Sequence, residues 1–212
     1  IIIAPLWKSF SLKALDKKQI KRIKFEYGFN DKFVIGYSGN LGLTHPLELL
    51  VELASLGIKD LLVIIIGEGP KKKKLIKLSN TLKLNKSNII FMDYLEKKDF
   101  QKLFSCFDLS VVALDKKSSS YSLPSKTITS LEFGKPILAL ASIESDLANL
   151  VLSHNCGIVI DPMNSEKLKL RNKLINLIEN ENNLRLFSKN AKIALNSFSI
   201  KNTEIILDRL IN

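Results

Sequence analysis

Apolar and polar positions along this chain switch repeatedly between two periods. Short apolar runs recur at Lys32–Ser38, Leu61–Ile66, Asn88–Met92, Leu109–Leu114, Ile137–Leu140 and Gly157–Ile160. Runs this short and this continuously apolar are the mark of strands covered on both faces. Between them the apolar positions fall at helical spacing: Ile20, Ile23 and Tyr27, then Leu47, Leu50, Val51 and Ala54, then Leu75, Leu78 and Leu82. Asp16 is placed to cap the first of these helices, which Gly28 stops, and Thr44 to cap the second, with Pro46 near its first turn. Helical segments are also expected at Lys97–Cys106 and Ser145–Ser153. After Asp161-Pro162 the pattern is wholly helical, over Ser165–Glu179, Asn182–Asn196 and Lys201–Ile211.

Strands alternating with helices at this spacing predict an α/β domain: a Rossmann-like, doubly wound parallel sheet of about six strands with a helical C-terminal tail. No internal repeat and no break before the C-terminal helices divides it. Residues 1–15 have no clear period and read as a linker or truncated edge; residues 16–212 read as one domain.

In such a sheet the C-terminal strand ends share one rim, where phosphorylated ligands bind. The rim loops are Ser38–His45, Gly67–Lys71, Met92–Leu95 and Lys116–Lys126. Gly39, Gly42, Gly67 and Gly69 would let backbone amides approach a ligand, although strand-to-helix turns need glycine in any case. Neither a dinucleotide G-x-G-x-x-G nor a Walker G-x-x-x-x-G-K-[ST] is present. The step Leu123-Pro124-Ser125-Lys126 is sharper. Pro124 or Ser125 sets a helix start, the amides of Ser125, Lys126 and Thr127 are free to meet an anion, and Lys126 adds a cation. A diphosphate requires that combination; a capped helix with a solvated lysine fits the same residues. His45, at the opening of a helix on the rim, suits capping and a site role equally.

Charge and composition narrow the partners. A net charge of +11 asks for nucleic acid, an anionic membrane face or a phosphorylated substrate. The lysines are scattered and lack the aromatic interleaving of a single-strand binder, so nucleic acid is not expected. No apolar run reaches the roughly 18 residues of a membrane helix. Ile1–Trp7 lacks the basic start of a signal peptide, so the protein reads as cytoplasmic, with contact at the inner membrane face allowed by its charge. Cys106 and Cys156 sit in apolar contexts as reduced thiols, no metal spacing exists, and His45 and His154 are the only histidines. No nucleophile signature flanks either histidine, so no catalytic residue is assigned.

Taken in order, the segments FVIGYSGNLGLTHPLELLVELASL, VIIIGEGPKKKKL, NIIFMDYLEKKDFQKLFSCFDLSVVAL, LPSKTITSLEFGKPILAL and CGIVIDP resemble the C-terminal domain of a GT-B fold glycosyltransferase. The likeness covers about residues 33 to 162 and is to the retaining family 4 type, in the branch of colanic acid, capsule and O-antigen synthesis. It implies that the domain binds a nucleotide-sugar donor such as a UDP- or GDP-sugar, with no metal and no other cofactor. Gly39, Asn40, Gly42 and His45 would approach the diphosphate and sugar. Gly67, Gly69 and Tyr94 would meet the nucleoside, and Leu123, Ser125, Lys126 and Thr127 the phosphates. Many members place Arg and Lys where Asn40 and His45 stand, and glutamates where Tyr121 and Thr129 stand; Glu132 is then the candidate for the ribose. The resemblance also implies an N-terminal partner domain carrying the acceptor site, so these residues are expected to hold a donor without turning it over alone. A non-catalytic nucleotide- or partner-binding domain on the same fold is the competing expectation.

Overall fold

The computed structural model describes residues 15–114, 123–164 and 166–198. The expected linker at 1–14, the loop segment with Tyr121, the helix start at Ser165 and the helix Lys201–Ile211 lie outside those residues.

Six strands form one sheet: β1 Phe33–Ser38, β2 Leu61–Ile66, β3 Ile89–Met92, β4 Leu109–Ala113, β5 Ile137–Leu140 and β6 Gly157–Ile160. They run in the order β3-β2-β1-β4-β5-β6, every neighbouring pair parallel. The helices are α1 Lys17–Glu26, α2 Glu48–Ala54, α3 Lys72–Thr81, α4 Lys97–Ser105, α5 Ser125–Glu132, α6 Asp146–Ser153, α7 Lys167–Glu179 and α8 Glu181–Ala194, with a 3-10 turn at Leu195–Phe198.

The continuous apolar runs have the predicted cause. On β2, Leu61, Val63 and Ile65 pack into the core shared with α2, while Leu62, Ile64 and Ile66 pack into a second core with Leu103, Phe104 and Phe107. All six are buried, each worth roughly 1.5–3 kcal/mol of apolar transfer. Beyond β4 a third cluster joins Val112, Ile128, Leu131, Ala139, Leu147 and Ala191.

Local signals set most of the helix ends. Asp16 accepts from the Gln19 amide at 2.8 Å while Gln19 returns a bond to the Asp16 amide at 2.9 Å, the reciprocal box that starts α1. Ser145 caps α6 through the Ala148 amide (3.1 Å). Thr44 does not cap α2, which begins only at Glu48 with Leu47 preceding it and no side-chain cap. Pro46 explains the delay, because the residue before a proline is pushed out of helical conformation. Residues 39–47 thereby stay loop, longer than the capping pattern predicts.

Strand order reverses between β1 and β4, which pair Ile35 with Leu109. Chains leave these two strands in opposite directions, opening a crevice above their C-terminal ends. The loop after β1 carries Gly39 and Asn40, and α5, after β4, carries Ser125 and Lys126. A buried bond between the Ser110 and Ser130 hydroxyls (2.7 Å) pins α5 to β4, and Ser130 also donates to Lys126 O (2.9 Å).

Candidate functional site

The rim loops lie against one another at backbone distance. Gly39 N–H donates to Ile66 O and Gly67 N–H to Met92 O, both at 2.9 Å, extending the strand ladder past the sheet edge. Leu41 N–H donates to Glu68 O (2.7 Å) and Lys71 N–H to Leu41 O (3.1 Å). Gly67, at φ +140°, leaves no room for a side chain: a Cβ there would sit 2.0 Å from Gly39 O. Gly39 has the same φ, and a Cβ on it would lie 2.1 Å from Lys126 Cε. These two glycines let three segments, from after β1, β2 and β4, converge.

Lys126 reaches back across Gly39 to the end of β1. Its ammonium donates to the Tyr37 hydroxyl (2.8 Å) and sits 4.6 Å from that ring's centroid, a cation–π contact. Tyr37 OH donates in turn to Asn40 O (2.7 Å). Among the described residues no carboxylate pairs with Lys126, and burial pushes its ammonium below the usual lysine range. Burial raises the Tyr37 phenol, with Tyr94 adding to the rise, so Tyr37 stays a neutral donor and Tyr94 faces the same crevice. A lysine without a counter-ion beside a helix start is arranged to meet an anion.

The first turn of α5 differs from expectation in one bond. Thr127 N–H donates to Pro124 O (2.9 Å), while the amides of Ser125 and Lys126 donate to no backbone group among the described residues. Thr127 itself is fully buried, its Oγ1 without a hydrogen-bond partner among the described residues. Leu123 packs into the apolar cluster under α5.

On the other side of the crevice, a Cβ on Gly42 would be 3.1 Å from His45 Nδ1 and 3.7 Å from Asn40 Nδ2, so these side chains crowd the same loop. Gly69 closes against that loop too, its Cβ position 2.7 Å from both Asn40 Oδ1 and Leu41 O. Tyr94 stands exposed after β3, next to Asp93, which shares Lys72 with Glu68. Gly39, Asn40, Gly42, His45, Gly67, Gly69, Tyr94, Ser125 and Lys126 are thus gathered on one rim. Glu132 is not gathered there: it is the last residue of α5, roughly 10 Å along the helix axis from Ser125.

Two residues escaped the sequence pattern. Tyr37 reads as one more strand residue, and only its hydroxyl within an apolar run hints at more. Lys71 reads as the first of a lysine run, yet it is buried, donating to His45 O (2.5 Å) and to Glu48 Oε2 (2.7 Å). Lys74 takes the other Glu48 oxygen at 3.0 Å. Burial pushes Glu48 upward, but the bonds from Lys71 and Lys74 outweigh it and hold the carboxyl below its ordinary value. This buried clamp fixes the backbone of His45 against α3.

The doubly wound α/β domain thus carries a glycine-walled crevice at its topological switch point, the place where such sheets bind ligands. The chain belongs to the family Glycosyl transferases group 1, which matches residues 19–194. It is 39% identical over 82 residues to the chitobiosyldiphosphodolichol beta-mannosyltransferase of Dictyostelium discoideum, a stretch covering 39% of this chain and 16% of that protein. Among solved structures, Anabaena HepE in complex with UDP and glucose superposes with a TM-score of 0.76 at 19% identity, covering 93% of this chain and 53% of HepE. The C-terminal domain of a group 1 glycosyl transferase family protein (LpcC) from Francisella tularensis gives 0.69 at 16% identity, covering 88% of this chain and 96% of that one. The chain therefore spans under a fifth of the length of the curated relative and about half of HepE.

Proposed function

We propose that this chain is the donor-binding half of a retaining, family 4-like glycosyltransferase. It holds the diphosphate of a nucleotide sugar between the Gly39–Gly42 loop and the start of α5. The observation that carries the proposal is Lys126: a partly buried ammonium that bonds a hydroxyl and, among the described residues, pairs with no carboxylate, lying across Gly39 at the start of α5. The resemblance to HepE, solved with UDP and glucose, supports a uridine or other nucleoside diphosphate in that place. The amides and Lys126 would offset the phosphate charge without a metal, and Tyr94 would border the nucleoside.

The acceptor is proposed from the relatives. The Dictyostelium protein, named as a mannosyltransferase on a diphosphodolichol-linked sugar, supports a glycan or lipid-linked acceptor; the motif resemblance alone extends the proposal to cell-surface polysaccharide synthesis at the cytoplasmic face of a membrane. The acceptor site and the catalytic group would come from an N-terminal domain of the same fold. No group among Gly39, Asn40, His45 and Lys126 is given the chemical step.

Calorimetric titration of the protein with UDP, GDP and their hexose conjugates tests the reading. Saturable binding that Lys126→Ala abolishes or cuts by at least about tenfold supports it. Absence of binding to every nucleoside diphosphate removes it. Sugar transfer at enzyme-like rates by these 212 residues would remove the proposed division of labour while leaving donor binding intact.

A further inference from the structure

At the edge of the sheet opposite the crevice, a cavity of about 510 Å³ opens between α1 and the turns that precede β1, β4 and β5. It is larger than the space a buried water needs and within the range of small-molecule sites. Its charged walls are Lys17, Lys21 and Lys24 of α1, Lys135, and the carboxylates of Asp31 and Asp108, four cations against two anions. Asp108 is already engaged, since its Oδ2 accepts from the Val34 amide (2.8 Å) and from Lys24 (2.7 Å). Lys24 is engaged twice, donating also to Lys32 O (3.0 Å).

The remaining cations are differently placed. Lys17 and Lys21 are exposed on α1, and neither forms an ion pair among the described residues. Lys135 donates to Ser105 O at 2.6 Å and forms no ion pair among the described residues, although the Asp108 charge, already shared with Lys24, lies near enough to favour its cation. Burial pushes its ammonium down to about 8. A desolvated lysine held by one carbonyl is a costly arrangement that an anion in the adjoining cavity would offset. The wall beside these lysines is apolar: Ile20 lines it, and Phe25 stands 71% exposed at its mouth.

We propose that this cavity is a second anion site, separate from the crevice, for a phosphate monoester with a small organic body. Lys135, Lys21 and Lys17 take the phosphoryl oxygens, and Ile20 with Phe25 contacts the organic part. Inorganic phosphate alone fills a fraction of the volume, so an ester binds more tightly than the free ion. The same chemistry is carried by soluble esters and by the headgroup of a phosphatidic acid bilayer, which would press Phe25 into the interface.

The test uses the 212-residue protein with inorganic phosphate, sn-glycerol 3-phosphate and phosphatidic acid vesicles, followed by amide NMR shifts, calorimetry and co-sedimentation. The expected result is saturable binding with shifts confined to α1, the 105–108 turn and Lys135. Lys17→Glu with Lys21→Glu, both on exposed positions, should weaken it by about tenfold at unchanged circular dichroism. Lys135→Met provides a second variant from inside the cavity. Lys126→Ala should leave the binding unaltered, which separates this site from the donor crevice. Binding of the soluble ester identifies a metabolite site, and binding of vesicles alone identifies a headgroup site. The proposal is overturned if neither binds, if binding survives the α1 double substitution, or if it is lost with Lys126→Ala.

Discussion

The Lys126 ammonium lies 2.8 Å from the Tyr37 hydroxyl, which donates its own hydrogen bond to Asn40 O. One short chain of bonds therefore joins the start of α5, the end of β1 and the first rim loop. Replacing Lys126 by Ala removes a charge-assisted contact worth roughly 1.5–3 kcal/mol, about 10- to 100-fold in nucleoside diphosphate affinity. Tyr37→Phe keeps the ring and loses both bonds, so calorimetry should show a smaller drop, about threefold to tenfold. Undiminished UDP binding by Lys126→Ala would end the phosphate role.

The same lysine gives binding a pH profile. Its ammonium titrates below the ordinary lysine range because it is desolvated. As pH rises through that lowered value the cation is lost and diphosphate affinity falls. Lys126→Arg, which stays charged, should move the fall to higher pH in a calorimetric series.

Gly67→Ala forces a methyl group to within 2.0 Å of Gly39 O in a left-handed backbone region. The strand ends must separate, with an expected loss of about 2 kcal/mol or more in denaturant unfolding. Nucleotide binding should fall further than stability does, since Gly39 moves with it.

Lys71→Met leaves Glu48 and His45 O without their buried partner, and roughly 2 kcal/mol of stability should go with it. Lys71→Arg restores the charge but not the fit, so partial recovery is expected. Glu48 adds a pH signature: its carboxyl is held low in the folded state, so its stabilisation is present above the unfolded value and disappears as pH falls through the folded one. Urea titrations from pH 5 downward should show that loss in the native protein and not in Glu48→Gln.

Burial pushes the thiols of Cys106 and Cys156 up to about 11 each, and both are free. Thiolate is the reactive form, so iodoacetamide at pH 8 should label neither in the native protein and both after unfolding. Rapid labelling of either thiol in the folded state would contradict its burial.

Lys135 has the same sign as Glu48, in a higher pH window. Its folded value of about 8 is below the unfolded one, so the folded protein releases the proton first and stability from this group rises between about pH 8 and 10. Lys135→Met should flatten that part of the stability profile by comparison with the unsubstituted protein.

The fold was readable because a parallel sheet covered on both faces writes itself as unbroken apolar runs; β2, Leu61–Ile66, is predicted to the residue. The crevice was readable in its glycines and in Leu123-Pro124-Ser125-Lys126, since helix starts and tight approaches leave local marks. Thr44 failed as a cap because Pro46 pushes His45, the residue before it, out of helical conformation. Lys71 and Tyr37 were hidden for another reason: their partners, Glu48 and Lys126, are 23 and 89 residues away, and only the folded sheet brings them together.

The strand order has a kinetic meaning as well. β1, β2 and β3 are successive neighbours, as are β4, β5 and β6, so each trio closes through single helical crossovers. Only the β1–β4 seam joins them, exemplified by the Val34–Asp108 bond across 74 residues. Closing that seam is the slow, entropically costly search in folding, and it is the step that creates the crevice. A donor bound there would act as a staple across the two halves, slowing their separation more than it speeds their meeting. Hydrogen exchange with and without UDP should show that protection rising along β1 and β4 first.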